Sequence, residues 1–130
     1  MEKNIEEIEK VVDGSKFDEI IEDISTWGKI LMIKITPSFV IEIKDNMPTG
    51  TYGHGYYNFD SKNSSISGHL KVSDIKTISF VSKLLRGKLS HSIVFSSQNE
   101  DIFKIFVTRN ENGELSKEQV LRFESLKNKL

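Results

Sequence analysis

Three histidines and three tyrosines are the residues of this chain best suited to bind a metal, because the sequence contains no cysteine. The histidines His54, His69 and His91 form neither a His-x-x-x-His nor a His-Glu-x-x-His pair, which argues against a zinc site on one helix. The absence of cysteine excludes disulfides, cysteinyl zinc sites and iron–sulfur clusters. No Gly-x-Ser-x-Gly motif supports a serine nucleophile. Any metal ligand must therefore be His, Tyr, Met or a carboxylate.

Residues 52–71 combine all three tyrosines with two of the histidines. His69 alternates with Ser67 and Lys71, so we expect it on the polar face of a strand, next to a cation; a merely solvated histidine fits this position too. His54 lies between two glycines, where the backbone can approach a flat ligand closely, although glycines that only form a turn explain the pattern equally well. This mixture suits a ligand with a broad apolar face, an acidic edge and a metal centre, and haem is such a ligand.

His91 differs from the other two histidines. It shares its predicted strand face with Ile93 and Phe95. We therefore expect His91 to be packed in the core or at an interface.

The charges nearly cancel, with 18 Lys and Arg against 19 Asp and Glu, but they are unevenly distributed. Residues 1–23 carry nine acids and three bases, whereas residues 62–91 carry one acid and six bases. This asymmetry fits an anionic partner for the middle of the chain, pairing between subunits, or two separately solvated surfaces. No apolar run approaches the roughly 20 residues that span a bilayer, and the acidic N-terminus lacks an apolar signal region. We expect a cytoplasmic protein without membrane insertion.

The hydrophobic periodicity predicts a single domain, residues 1–130, of the α+β class. Ser15 is the expected N-cap of an early helix that ends near Gly28, and Ser116 with Gln119 forms a capping-box pair for a C-terminal helix. A further short helix is predicted over residues 2–12. The predicted strands cover residues 29–36, 39–44, 65–72, 75–83, 90–96 and 102–109.

Several collinear segments resemble the bacterial cytoplasmic haem carriers of the HutX/ChuX type. They are VVDGSKFD (11–18), TWGKI (26–30), PTGTYGHGYYN (48–58), GHGYYNF (53–59), SGHLK (67–71), FVSK (80–83), RGKLSHSIVF (86–95) and FKIFVTRNENGEL (103–115). The resemblance covers roughly residues 11–127. It implies a large antiparallel sheet with flanking N- and C-terminal helices, similar to one half of the two-repeat haem-utilisation proteins, and pairing of two subunits as a homodimer.

The resemblance also implies an intracellular carrier that binds haem as cargo and passes it, by transient contact, to a haem-processing or haem-degrading enzyme. On this basis His69 is the expected iron ligand, with Tyr56, Tyr57 and His54 also at the haem. We add Lys71 as a propionate contact, because it shares the predicted face of His69.

Two other functions remain compatible with the sequence. A haem-degrading enzyme is one, although no cofactor motif and no acid–base pair in the candidate segment support turnover. A non-haem module that binds an acidic partner through residues 62–91 is the other, and a pI near 6.3 argues against nucleic acid. Some relatives have a histidine where this chain has Ile35, so the number of iron ligands stays open.

Overall fold

The computed structural model describes residues 5–85 and 87–130. In chain order the strands and α-helices are β1 (Ile5–Asp13), α1 (Phe17–Ile24), β2 (Lys29–Thr36), β3 (Phe39–Asn46), β4 (Gly50–Gly53), β5 (Tyr56–Phe59), β6 (His69–Leu70), β7 (Thr77–Leu85), β8 (Lys88–Ser96), β9 (Asp101–Phe106) and α2 (Lys117–Lys129). Short 3₁₀ turns lie at Gly14–Lys16 and Val72–Asp74. Arg86, one of the bases of the basic segment, lies outside the described residues.

The strands form two antiparallel sheets. The larger one has six strands in the order β1-β7-β8-β9-β2-β3, and the smaller one has three in the order β4-β5-β6. All the strand pairs described are antiparallel. The predicted α+β fold with an antiparallel sheet and flanking helices is therefore confirmed.

Both helices and the small sheet pack on one face of the six-stranded sheet. Phe17 of α1 contacts Phe95 of β8 and Tyr57 of β5, with ring centroids 6.0 and 5.1 Å apart. Phe123 of α2 contacts Phe80 of β7, with ring centroids 5.4 Å apart. Full burial of each such side chain stabilises the fold by about 1.5–3 kcal/mol. Phe17 thus connects the small sheet to the large one, and Phe123 holds α2 against the large sheet.

The prediction of a helix over residues 2–12 is wrong where the structure describes the chain, because residues 5–13 form β1. The register with β7 shifts between Ile8 and Lys10, which makes Glu9 the extra residue of a β-bulge. Ile8 and Val11 consequently pair with residues on one face of β7, although they are three positions apart. That spacing imitates the period of a helix, which explains the error.

The start of α1 also differs from the prediction. Asp13, rather than Ser15, supplies the capping oxygen, since its carboxylate accepts a hydrogen bond from the Ser15 N–H at 2.9 Å. That bond caps the 3₁₀ turn, and α1 begins at Phe17. Glycine is required at position 14 because a Cβ on Gly14 would lie 1.9 Å from the carbonyl oxygen of Ile75. The four apolar side chains of α1 are nonetheless buried on one face of the helix, as its hydrophobic periodicity indicates; they are Phe17, Ile20, Ile21 and Ile24.

Half of the predicted capping box of α2 is present. The Ser116 hydroxyl accepts a hydrogen bond from the Gln119 N–H at 3.2 Å, as predicted. The Gln119 side chain does not return this bond, because its amide is buried and occupied. Its Oε1 accepts from the Thr108 N–H, and its Nε2 donates to the carbonyls of Trp27 and Lys29. Gln119 thus joins α2 to the start of β2 and to the segment after β9.

Candidate functional site

The five residues predicted at the site lie on or directly beside the three-stranded sheet. Tyr56 and Tyr57 begin β5, His54 is in the turn before it, His69 begins β6, and Lys71 follows β6. Only His69 and Leu70 of the predicted strand 65–72 pair with a neighbour. The fold therefore brings together residues that are up to 17 positions apart in the chain.

His54 and Gly55 form the two-residue turn of the β4–β5 hairpin. Gly53 pairs with Tyr56, and the φ angles of His54 and Gly55 are +55° and +84°. Positive φ at both positions is typical of a type I′ turn, in which glycine is favoured at the second position. The turn thus accounts for Gly55 without a ligand. The exposed His54 lies at the tip of the hairpin.

Alternation along β5 divides the predicted residues between two faces of the small sheet. Tyr57 pairs with Leu70, and both are buried against the core. Asn58 pairs with His69 on the opposite face, which also carries Tyr56. His69 is exposed and 43% of Tyr56 is accessible, whereas only 5% of Tyr57 is accessible. We call the side of the small sheet that carries Tyr56, Asn58 and His69 the outer face.

Tyr57 is held on the inner face by its ring and by its hydroxyl. The ring packs on Phe17 and Phe59, and the hydroxyl accepts a hydrogen bond from the Gly50 N–H at 2.6 Å. Burial raises the pKa of Tyr57, with a further rise from the carboxylate of Asp18 and a partial offset from the Gly50 bond. A raised pKa opposes the phenolate that binds iron. The role of Tyr57 at haem stays a prediction, which this arrangement does not favour.

His69 is held between two side chains of β5. Its Nδ1 lies 2.6 Å from Oδ1 of Asn58, and its ring meets the ring of Tyr56 edge-on with centroids 6.4 Å apart. The Asn58 Nδ2 in turn lies 3.3–3.4 Å from the carbonyl oxygens of Thr51, Gly53 and Tyr56. His69 is therefore exposed but oriented, which is the arrangement that a metal-binding imidazole needs.

Lys71 continues the chain directly after β6. Its carbonyl accepts a hydrogen bond from the Asp74 N–H at 3.0 Å, which starts the 3₁₀ turn. Its side chain is exposed, and within residues 5–85 and 87–130 it makes no ion pair. Lys71 is thus available to pair with an anionic group near His69.

Asn58 was not predicted from the sequence. Its position two residues after Tyr56 in the motif HGYYN places it on the face of Tyr56 by strand alternation. Its contact with His69, however, depends on the pairing of β5 with β6 across a nine-residue connection (residues 60–68). The shared face with Tyr56 can be read from the sequence, but the contact with His69 cannot.

His91 belongs to a second polar cluster, on the inner face of the six-stranded sheet. It is 6% exposed, its ring lies 5.1 Å from that of Phe123, and its Nδ1 is 2.8 Å from Oγ of Ser82. Ser82 also donates a hydrogen bond to Glu9, the residue that the bulge of β1 inserts. Of the two positions predicted for His91, in the core or at an interface, the structure shows the first.

Lys127 of α2 completes this cluster by forming ion pairs with both Glu9 and Glu124. Ligand atoms of Glu9, His91 and Glu124 all lie within 4.8 Å of one another. The Lys127 ammonium already forms ion pairs with both carboxylates, so the cluster is a structural ion network that ties β1 to α2. Burial lowers the pKa of His91, although the two carboxylates act in the opposite direction.

The comparisons with known proteins all indicate one family. The profile of the family described as Haem utilisation ChuX/HutX matches residues 10–126. The intracellular heme transport protein HutX of Vibrio cholerae is 38% identical over 122 residues, which are 93% of this chain and 63% of that protein. The chain thus spans slightly less than two thirds of the length of this relative.

Solved structures agree with this assignment. A protein from Erwinia carotovora is 35% identical with a TM-score of 0.87, over 92% of this chain and 74% of that chain. The heme binding protein ChuX is 29% identical with a TM-score of 0.85, over 92% of this chain and 75% of that chain. The heme degrading enzyme ChuS of Escherichia coli O157:H7 shares the fold at 14% identity, with a TM-score of 0.72 over 34% of its length.

No helix within the described residues is long and apolar enough to cross a membrane. The motifs that resemble haem carriers, the match of the family profile over nearly the whole chain and the agreement of the folds all lead to one assignment. This chain belongs to the haem utilisation ChuX/HutX family.

Proposed function

We propose that this chain is an intracellular haem carrier, which accepts imported haem and passes it to a haem-processing or haem-degrading enzyme. The observation that carries the proposal is the exposed but oriented His69 on the outer face, in a chain whose relative from Vibrio cholerae is a heme transport protein. An exposed ligand suits a carrier, because the next protein can reach the haem while it is still bound.

The side chains around His69 match the parts of haem, which is the cargo of the protein rather than a resident cofactor. Imidazole is a common ligand of haem iron, and the ring of Tyr56 offers an apolar wall beside it. Lys71 supplies a cation for a propionate, and His54 lies at the hairpin tip of the same small sheet. The outer face thus offers a ligand for the metal, a wall for the ring and a charge for its acidic edge.

Titration of the purified apoprotein with haemin tests the binding step. We expect a saturable shift of the Soret band with one haem bound per chain. Apomyoglobin then serves as an acceptor. We expect it to take haem from this protein faster than it takes haem from albumin, which is the control. The absence of a saturable shift would contradict haem binding, and haem that never leaves would contradict carriage.

The same complex separates a carrier from a haem-degrading enzyme. We expect the Soret band to persist when ascorbate is added in the presence of catalase. Catalytic release of iron or of a linear tetrapyrrole under these conditions would instead identify an enzyme. The similarity to ChuS does not decide this point, because at 14% identity it extends only to the fold.

We infer that two copies of the chain pair through the uncovered face of the six-stranded sheet. This face holds a groove of about 250 Å³ in which four apolar side chains, Ile8, Val81, Val94 and Phe106, lie among serine and charged side chains. Further apolar side chains are exposed along the β2–β3 hairpin, where Ile35 is 52% exposed. Within the described residues both helices lie on the opposite face, so a second copy is the partner that would cover this one.

Sedimentation at low and high salt tests this pairing. Salt screens ion pairs but does not weaken apolar contacts, so we expect a dimer held by Ile35 and its apolar neighbours to persist at high salt. Ile35→Lys is expected to shift the protein to monomer, whereas Leu121→Lys is the matched control, since Leu121 is 70% exposed on α2. A wild-type monomer under both conditions, or equal dissociation by both variants, would contradict the proposed interface.

A further inference from the structure

The orientation of the Asn58 amide is determined by three backbone carbonyls. Its Nδ2 lies 3.3 Å from the carbonyl oxygens of Thr51 and Gly53 and 3.4 Å from that of Tyr56. Carbonyl oxygens only accept hydrogen bonds, so the NH₂ group must face them. The amide oxygen Oδ1 must therefore point to the other side, toward β6.

The position of Oδ1 determines in turn which nitrogen of His69 carries the proton. Oδ1 lies 2.6 Å from Nδ1 of His69 and only accepts hydrogen bonds, so Nδ1 must donate. In a neutral imidazole with a proton on Nδ1, the lone pair is on Nε2. Among the residues that the structure describes, none forms a hydrogen bond with this Nε2. The lone pair is thus available on an exposed side chain.

We propose that Asn58 is a positioning residue for His69, holding the ring in the Nδ1–H tautomer so that Nε2 faces the iron of an incoming haem. This role rests on the proposed function. Histidines that bind metals commonly donate their second ring N–H to a carbonyl or carboxylate, which fixes the ring and increases its basicity. The backbone carbonyls of the β4–β5 hairpin supply the rigid frame, and Asn58 transmits that rigidity to His69.

A purely structural role of Asn58 is the alternative, since its Nδ2 also ties the hairpin together. Asn58→Leu and Asn58→Asp separate the two roles. Both variants lose the Nδ2 donors and so lose the hairpin bonds, but only Asn58→Asp keeps an oxygen that accepts from Nδ1 of His69. In Asn58→Asp a carboxylate oxygen also faces the three backbone carbonyl oxygens, which repel it, so the hairpin is held no better than in Asn58→Leu. A wild-type-like His69 in Asn58→Asp but not in Asn58→Leu therefore reports on the acceptor and not on the hairpin.

Two measurements complete the test. Two-bond ¹H–¹⁵N correlation spectra of the apoprotein are expected to show the Nδ1–H tautomer of His69 in wild type and in Asn58→Asp, and its loss in Asn58→Leu. Haemin affinity is expected to fall about tenfold in Asn58→Leu and to stay near wild type in Asn58→Asp.

A failure of the positioning role can be distinguished from a failure of the proposed function. An Nε2–H tautomer in the wild-type apoprotein, or an equal loss of haemin affinity in both variants, would overturn the positioning role while haem binding by wild type still stands. A wild-type protein that binds no haemin would overturn the proposed function, and the role of Asn58 with it.

Discussion

The two histidines His69 and His91 have the same local bond and opposite surroundings. In each, Nδ1 meets a polar side chain of the neighbouring strand, Asn58 for His69 and Ser82 for His91. His69 is exposed on the small sheet, whereas His91 is 6% exposed under α2. An imidazole ring that is held in place can therefore bind an external metal only where its second nitrogen is accessible.

The two histidines also differ in the charged groups that surround them. His91 lies beside Glu9 and Glu124, and both of their carboxylates are paired with Lys127. Lys71, which directly follows β6, is an exposed cation without an ion pair among the described residues. The carboxylates beside His91 are thus paired within the protein, whereas Lys71 has no charged partner in the part of the chain that the structure describes.

The largest expected effect is on haem affinity. His69→Ala should weaken haemin binding by about 100-fold, because it removes the proposed iron ligand. His91→Gln is the control, and its affinity should stay within about threefold of wild type. Titration of the Soret band measures both. Equal losses in the two variants would remove the functional distinction between the histidines.

The free energy of unfolding should be more sensitive to substitution of His91 than to substitution of His69. His91→Ala should lower the free energy of unfolding by about 3 kcal/mol, because it removes a buried ring from Phe123 and the partner of Ser82. His69→Ala should change it by less than about 0.5 kcal/mol, since the side chain is exposed. Urea unfolding measures both variants, and a larger loss for His69→Ala would reverse the comparison.

Tyr56 and Tyr57 are neighbours on β5, and their side chains lie on opposite faces of the small sheet. Tyr57→Phe should lower the free energy of unfolding by about 1–2 kcal/mol, because the Gly50 N–H loses its acceptor. Tyr56→Phe should be neutral within about 0.5 kcal/mol. Neither change should abolish haem binding if His69 is the ligand. A Soret band altered by Tyr57→Phe alone would instead restore Tyr57 as an iron ligand.

The smallest expected effect is on the pH dependence of folding. Burial lowers the pKa of His91 below its ordinary value near 6.5, so the unfolded chain binds this proton more readily than the folded chain. The stabilisation by neutral His91 is therefore complete above about pH 6.5 and is lost as the pH falls toward the lowered value.

Wild type should consequently be less stable at pH 5.5 than at pH 7.5, and His91→Gln should show less of this dependence. Glu9 does not contribute in this window. Burial opposes its ionisation, but hydrogen bonds from Lys127 and Ser82 bring its pKa below the ordinary value of a glutamate. Urea unfolding at the two pH values provides the measurement, and an equal slope in both proteins would exclude His91 as its source.

Local patterns predicted most elements because each has a clear period. Alternation predicted the β2–β3 hairpin and strand β8, and the apolar spacing predicted α1 and α2. Prediction failed at β1, where the bulge at Glu9 breaks the alternation, and in residues 65–72, where only two residues pair. It also missed β4 and β5, which have only four residues each. The failures at β1 and in residues 65–72 arise from pairing with distant strands, which local periodicity does not record.

The uneven charge distribution was also only partly informative. The acidic start of the chain does not meet the basic middle at Glu9, because Glu9 pairs with Lys127 of α2. The sequence could not predict this contact, since the two residues are 118 positions apart. Their proximity requires β1 at one edge of the sheet and α2 packed across its inner face.

The family, the class of the fold and the types of side chain available to a metal could all be read from the sequence, because motifs and the absence of cysteine are local facts. It also distinguished an exposed His69 from a buried His91 through strand alternation. Only the tertiary structure placed Tyr57 in the core and Asn58 against His69. Those contacts depend on strand register and on the packing of two sheets, and both result from interactions between residues far apart in the chain.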